Sequence, residues 1–432
     1  MAKTHNIIPI TSAMTRAKGS LPAPRPPEGR VSDEAASQST SQSTRLANSA
    51  NQVAGYGGVP FTVVSSRVPV GLPLAGGLVS DRDLPGERNG DGQFIADAMH
   101  RPLRDLRISV TDRCNLRCTY CMPREVFDHE HTFLTRDDLL GFEEIERLAK
   151  LFIRLGVQKI RLTGGEPLLR RGIEYLIEKL AKLHNTAGKP IEIALTTNAV
   201  LLSKKARSLK DAGLSRITVS LDGLTEKTFR CMSDSDVSVK TALNGIAEAQ
   251  RVGFVPVKVN MVLKRGVNDH EIIPMAEHFR NSGIILRFIE YMDVGCSNGW
   301  RMDDVITAEE ILERIHQHYP LQPVDPGYPG EVAERWRYAD GSGEIGLITS
   351  VTQAFCHECT RARLSTDGKL YTCLFAADGA DLREPLRLGA NDQMLTRLIA
   401  DYWRQRHDRY SLLRHAAIGT PGKKIEMSYI GG

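Results

Sequence analysis

No stretch of the 432-residue sequence is long and apolar enough to cross a bilayer, and the Met1 end lacks the short apolar block of a secretory signal. A cytoplasmic chain without a membrane partner is expected. Strong charge of one sign is missing too: 56 Lys and Arg against 52 Asp and Glu leave a formal net charge of +4. A field that weak gives no reason to expect nucleic acid as a partner. Cysteine, at 8 residues, is too sparse for a disulfide scaffold in a chain of this length. What cysteine there is, however, is clustered. Cys114, Cys118 and Cys121 form one group and Cys356, Cys359 and Cys373 another. In a reducing compartment such clustering signals metal ligation rather than bridges. Cys231 and Cys296 are isolated and receive no role, because a lone cysteine packs as a small hydrophobe.

Residues 1–100 are rich in Ser, Ala, Gly and Pro, with no sustained period, and read as a disordered or weakly ordered extension. Within it, Val59 to Leu78 amounts at most to a docking strand. The segment before Glu28 holds no acidic residue, which leaves a transit peptide open as an alternative. From residue 101 the pattern changes. LRISVTD, VQKIRLTGG, IEIALTTNA, RITVSLDG, VKVNMVL and ILRFIEYM read as six strands separated by amphipathic helices. In the first helix Thr135 is expected as the cap, with Asp138 three residues on, and Leu139, Leu140, Phe142, Ile145, Leu148, Phe152 and Leu155 as the apolar face.

Alternating strands and helices imply an α/β fold of parallel strands, here an incomplete (βα)6 relative of the eight-fold TIM barrel over residues 101–302. Its active residues should lie at the strand C-termini. The first cysteine group, Gly164 to Pro167, Thr196 to Asn198, and Ser220 with Asp222 all fall there. Residues 303–432 read as a smaller β-rich domain covering the barrel mouth, opened by a helix from Ala308 to His318. Asp367-Gly368 signals a tight hairpin turn that would set Cys373 opposite Ala362 and return it to the Cys356-x2-Cys359 pair.

Three thiolates on one compact loop suit the corners of an iron-sulfur cubane, with one iron left open. Zinc is the rival: His129 or His131 could complete a site at the first group, and His357 at the second. Arg361 and Arg363 alternate to one face of a strand beside the second group. Arginines placed this way suit phosphate oxygens.

The spacing Cys114-x3-Cys118-x2-Cys121 resembles the radical S-adenosylmethionine signature. Together with LTGGEP, TTN, VSLD, CHECTRAR with Cys373, and the terminal Gly431-Gly432, it makes the chain from about Leu103 to Gly432 resemble the GTP 3',8-cyclase (MoaA) family. Members of that family carry out the first step of molybdenum cofactor biosynthesis.

The resemblance implies a radical S-adenosylmethionine barrel with a C-terminal auxiliary-cluster domain, two 4Fe-4S clusters and S-adenosylmethionine as cofactors, and GTP as substrate. Cys114, Cys118 and Cys121 would hold the first cluster, and Cys356, Cys359 and Cys373 the second, which binds the guanine ring. Tyr120, Gly165, Glu166, Ser220 and Met292 match positions that hold S-adenosylmethionine. Arg107, Arg161, Thr196, Lys258, Arg361 and Arg363 match positions that contact GTP, the last two within the catalytic set. The implied reaction uses a 5'-deoxyadenosyl radical to remove hydrogen from ribose C3', after which that carbon joins guanine C8. The product is (8S)-3',8-cyclo-7,8-dihydroguanosine 5'-triphosphate. The Gly431-Gly432 tail resembles a flexible end that enters the active site. A reductant such as flavodoxin or ferredoxin and a cyclic pyranopterin monophosphate synthase are the implied partners, with the enzyme a monomer or homodimer.

Two other readings remain at this point. A peptide-modifying radical enzyme usually carries more downstream cysteines than the three after Cys296, and a zinc-binding interaction protein would need no substrate arginines.

Overall fold

A computed structural model describes residues 95–417 and 424–432. The extension expected over residues 1–100, with its Val59 to Leu78 stretch and the transit-peptide alternative, lies outside the described residues up to residue 94. The last part of it is packed. Ile95 and Asp97 are buried and Ala96 bridges Pro102.

The six expected strands form where the sequence puts them. In chain order the elements are β1 (Asp105–Ser109), α1 (Phe142–Arg154), β2 (Lys159–Thr163), α2 (Ile173–Ala181), β3 (Glu192–Thr197), α3 (Leu202–Asp211), β4 (Arg216–Ser220), α4 (Glu226–Ser233), α5 (Val239–Arg251), β5 (Lys258–Leu263), α6 (Ile272–Phe279) and β6 (Ile285–Glu290). Leu106 and Ile108, Ile160 and Leu162, and Ile193 and Leu195 belong to one apolar core with Ile145, Leu148 and Phe152 of α1. Burying each such side chain contributes roughly 1.5–3 kcal/mol. Arg107 and Arg161 stand between them, and Thr196 follows Leu195, each turned by the two-residue period of a strand to the other face.

The first helix begins later than its sequence suggests. Thr135 Oγ1 does donate to the Asp138 carboxylate at 2.6 Å, but this closes a separate turn. Arg387 and Arg383 occupy the carbonyls of Asp137, Asp138 and Leu139, and the Leu140 N–H donates to Thr366 O. With those groups committed elsewhere, α1 starts at Phe142, where Glu144 accepts from the Gly141 N–H at 2.7 Å. The expected apolar face from Ile145 to Leu155 is kept, and Leu140 is buried outside the helix.

The remaining elements are α7 (Ala308–His318), β7 (Leu321–Val324), β8 (Glu334–Tyr338), β9 (Glu344–Ile348), β10 (Arg361–Leu364), β11 (Lys369–Tyr371), β12 (Ala380–Asp381), α8 (Arg383–Arg387), α9 (Asp392–Arg404), α10 (Tyr410–Ala417) and α11 (Met427–Ile430). Their strands make no second sheet. β10 pairs parallel with β1 and β9 parallel with β6, so β10–β12 and β7–β9 extend the six-stranded sheet at its two edges. The resulting order is β12-β11-β10-β1-β2-β3-β4-β5-β6-β9-β8-β7.

This topology corrects the expected placement of the second cysteine group. Because β10 runs parallel to β1, with Asp105 opposite Arg361, residues just before β10 lie at the N-terminal end of the barrel strands. Cys356 and Cys359 are therefore at the end opposite to Cys114, Cys118 and Cys121. The hairpin register also shifts by one residue. Ser365 N donates to Lys369 O, and Gly368 takes φ of 85°, giving a three-residue loop with glycine in the left-handed position. Arg363 then pairs with Tyr371, and continuing that register brings Cys373 opposite Arg361 rather than Ala362. Cys373 is still returned to the pair.

Candidate functional site

Parallel strands in register bring residues of equal height side by side. Arg363 stands opposite Arg107, Arg107 opposite Arg161, and Arg161 opposite Ala194, so three guanidinium groups cross three adjacent strands in one row. Nearby, Thr196 neighbours Thr218, and Thr218 neighbours Lys258. Arg161 Nη1 donates to Thr196 Oγ1 at 3.1 Å and to Thr218 Oγ1 at 3.2 Å. Arg363, Arg107, Arg161 and Thr196 line a cavity of about 320 Å³ that runs along the barrel interior and reaches both cysteine groups, with Thr218 and Lys258 on the strands beside it.

Cations outnumber carboxylates along the cavity, although Asp105 and Glu331 partly offset them. Burial, and then Arg363, Arg161 and Arg361, hold the Arg107 guanidinium well below its usual pKa. Burial and the neighbouring Arg287 bring Lys258 down to about 8. Burial and Arg161 bring Arg287 to about 9, and burial and Arg361 bring Arg363 to about 10. Cations packed this closely favour a polyanionic ligand.

At the C-terminal end, the loop after β1 carries the first cysteines. Arg117 braces it, donating to the carbonyls of Phe127, Cys114 and Leu116 at 2.9 Å each. Gly164 and Gly165 at the end of β2 dock directly on this loop: a Cβ would lie 2.4 Å from Thr111 O at the first and 2.3 Å from Arg113 O at the second. Gly165 N donates to Thr111 O and Glu166 N to Arg113 O, both at 2.8 Å. The Glu166 carboxylate is buried and accepts from Leu168 N, Thr197 Oγ1 and Asn198 N, tying β2 to β3. Burial pushes it up to about 7. Glu166 is thus engaged by the protein first, not aimed freely at a ligand.

Tyr120 Oη donates to Asp222 Oδ2 at 2.8 Å, and Val262 N donates to Asp222 Oδ1. Asp222, at the end of β4, so fixes the ring between the cysteines. Burial raises its carboxyl to about 6. Ser220 and Met292 line the same end of the cavity as Tyr120, Gly165 and Glu166.

The cysteines fit an iron-sulfur cluster better than one ion. Burial raises all three thiols of the first group, Cys114 to about 11, and Cys118 feels both Cys114 and Cys121, so the three converge. Yet among the described residues no three His, Cys, Asp or Glu side chains gather tightly enough for a single metal ion. A cubane holds its sulfurs farther apart than a tetrahedral zinc does. Of the zinc alternatives, His131 packs between Phe127 and Phe133 with ring centroids 4.7 and 4.8 Å apart, His129 is exposed in a surface pocket that Cys114 also lines, and His357 is exposed.

At the opposite end, burial alone would raise Cys359, but Arg361 and Arg406 bring it down to about 6. Burial and Asp408 raise Cys373 to about 11. Arg361 Nη2 lies 3.3 Å from Cys359 Sγ, with its guanidinium over the Phe355 ring. Arg363 turns the other way and donates to Gly431 O. The C-terminus is thereby drawn to the site, and Gly432 lines the cavity. A Cβ on Gly431 would lie 1.9 Å from Thr163 Oγ1, so no other residue fits there unshifted.

Sequence reasoning assigned no role to Arg287, Asn260, Lys159 or Arg406, all of which line the cavity. Arg287 was detectable: it is the third residue of ILRFIEYM and obeys the same alternation as Arg107 and Arg161. Gly346 on β9 lies opposite it, and a Cβ there would meet Arg287 Cγ at 2.9 Å.

Residues 108–279 match the profile of the Radical SAM superfamily, and residues 284–412 match that of Molybdenum Cofactor Synthesis C. The GTP 3',8-cyclase of Acidothermus cellulolyticus is 52% identical over 364 residues, covering 79% of this chain and 99% of the relative. The chain belongs to the GTP 3',8-cyclase family. The Staphylococcus epidermidis GTP 3',8-cyclase is 48% identical, with 79% and 99% covered. Among solved structures, Streptococcus suis SuiB bound to S-adenosylmethionine is 16% identical with a TM-score of 0.49, over 72% of this chain and 70% of that one. That likeness is too slight to argue from. As a radical S-adenosylmethionine enzyme of this family, the chain uses S-adenosylmethionine and 4Fe-4S clusters.

Proposed function

We propose that this chain cyclises GTP inside its barrel, to (8S)-3',8-cyclo-7,8-dihydroguanosine 5'-triphosphate, as the first step of molybdenum cofactor biosynthesis. The observation that carries the reading is the row Arg363–Arg107–Arg161, set across one cavity with a cysteine group at each end. Cys114, Cys118 and Cys121 hold one 4Fe-4S cluster, and Cys356, Cys359 and Cys373 hold the other. When bound there, the first cluster with S-adenosylmethionine would supply the radical chemistry, and the second would supply a Lewis-acidic site at the guanine end.

The protein's own residues do the placing. Tyr120, fixed by Asp222, lies against the adenine of S-adenosylmethionine, and Gly165, Glu166, Ser220 and Met292 complete its pocket. Arg107, Arg161, Lys258 and Thr196 take the triphosphate and ribose, and Arg361 and Arg363 the guanine end. Guanidinium forks suit phosphate oxygens. The net change transfers the ribose C3' hydrogen to 5'-deoxyadenosine, joins C3' to C8, and takes up one electron and one proton at the guanine, with a second electron consumed in cleaving S-adenosylmethionine to methionine. Holding C3' over C8 is a positioning task, which a narrow barrel interior meets. Both electrons come from a small reductant such as flavodoxin or ferredoxin, and a cyclic pyranopterin monophosphate synthase takes the product. The enzyme works in the cytoplasm, as a monomer or homodimer.

The test is Arg107→Ala, purified and reconstituted without oxygen. Losing one charge-assisted contact costs about 1.5–3 kcal/mol, so the KM for GTP should rise roughly 10- to 100-fold while S-adenosylmethionine cleavage without GTP is unchanged. Equal loss of both activities would contradict the assignment.

A further inference from the structure

We infer that Arg406, locked to Arg101 through Asp97, positions the second cysteine group and raises the reduction potential of the cluster held there. The inference rests on the reading of Cys356, Cys359 and Cys373 as cluster ligands. Neither arginine belongs to the family motifs from which the site was read.

Asp97 accepts from Arg101 Nε at 2.6 Å and from Arg406 Nη1 at 3.4 Å, with all three side chains no more than 1% exposed. Each arginine then grips one cysteine of the Cys356-x2-Cys359 turn. Arg101 Nη1 donates to Cys356 O at 2.7 Å, and Arg406 Nη1 to Cys359 O at 2.7 Å. Arg406 Nη2 goes further and donates to Cys359 Sγ at 3.1 Å. Trp403 backs the pair, its ring 4.6 Å from the Arg406 guanidinium and its indole N–H on Arg101 O. Arg101 Nη2 is buried with no hydrogen-bond partner among the described residues, and Arg101 lines the cavity together with Cys356 and Cys359.

Burying two guanidinium groups on one fully buried carboxylate is costly unless further negative charge lies close by. Asp408 supplies part of it, its carboxylate 3.5 Å from Arg406 Nε but one-third exposed. Three thiolates supply the rest. Arg361 and Arg406 both donate to Cys359 Sγ. Hydrogen bonds to a cluster's sulfurs and positive charge near it raise its potential.

The experiment uses full-length protein with Cys114, Cys118 and Cys121 all changed to Ser, so that only the second cluster remains. Its iron is counted, and its midpoint is read by electron paramagnetic resonance during redox titration, with and without Arg406→Gln or Arg406→Lys. About four irons per chain in the parent separates the two claims, because their absence would refute the cluster reading itself. Arg406→Gln should lower the midpoint by at least tenfold in the electron equilibrium, about 59 mV for one electron. Arg406→Lys, which keeps the charge but not the fork, should lower it less. Either variant holding its full iron and titrating at the parent's midpoint overturns the proposal.

Discussion

At the level of single residues, the site depends on charge held where water cannot screen it. Lys258 is the most readable case. Its ammonium, brought down to about 8 by burial and Arg287, is charged and able to hold phosphate below that pH and neutral above it. Accordingly kcat/KM for GTP should fall as pH rises through about 8, and Lys258→Met should lower kcat/KM at neutral pH and flatten that limb. An unchanged profile in the variant would take Lys258 out of the substrate site. Arg287 and Arg107 follow from strand alternation, and both could be read from the sequence. Arg406 could not, since it follows a helix far from any motif and reaches Cys359 only through the fold. Asp222 lay within a recognised motif, but its sequence suits a turn equally well. Only its contact with Tyr120 gives it a role.

Among the elements, those whose stability comes from local pattern were legible and those set by partners were not. All six barrel strands and the helix from Ala308 to His318 appear as expected, because alternation and a Thr307 cap specify them locally. The start of α1 was displaced from Thr135 because Arg383 and Arg387, some 250 positions later in the chain, claim its carbonyls. The hairpin after β10 was recognised by Asp367-Gly368, but a three-residue loop replaced the two-residue one and moved the register by a residue. Gly368→Ala should cost at least about 1–2 kcal/mol from the left-handed conformation alone. A Cβ there would also lie 2.8 Å from Arg383 Cβ. Denaturant unfolding checks this, and an unchanged midpoint would mean the loop relaxes freely. Gly165→Ala makes the corresponding test at the other end. Its Cβ would press on Arg113 O and push the cysteine loop from β2, so iron at the first group and S-adenosylmethionine cleavage should fall together, with the second group's iron retained.

For the molecule as a whole, the residues expected on the rim at the strand C-termini lie there, but the domain expected to cover that mouth brings its cysteines to the other end. Parallel pairing of β10 with β1 moves the second cysteine group to the other end, turning a covered mouth into a passage through the barrel. No local signal specifies which edge strand a returning segment joins, which is why this could not be read in advance. The described chain from Ile95 onward contains every residue of the proposed site, and the relatives are matched over 99% of their length by 79% of this chain. A chain lacking residues 1–94 should therefore keep its GTP turnover, whereas loss of turnover with full iron would give the extension a part in the reaction.

The central claim is that the two cysteine groups and the arginine row between them form one reaction chamber for GTP. It is tested most directly by anaerobic turnover of GTP carrying deuterium at C3', with the reconstituted full chain and dithionite. The account predicts about eight irons per chain, deuterium in the 5'-deoxyadenosine released, and the 3',8-cyclised nucleotide as product. Cleavage of S-adenosylmethionine by the fully loaded protein with no deuterium transfer and no cyclised product would contradict it.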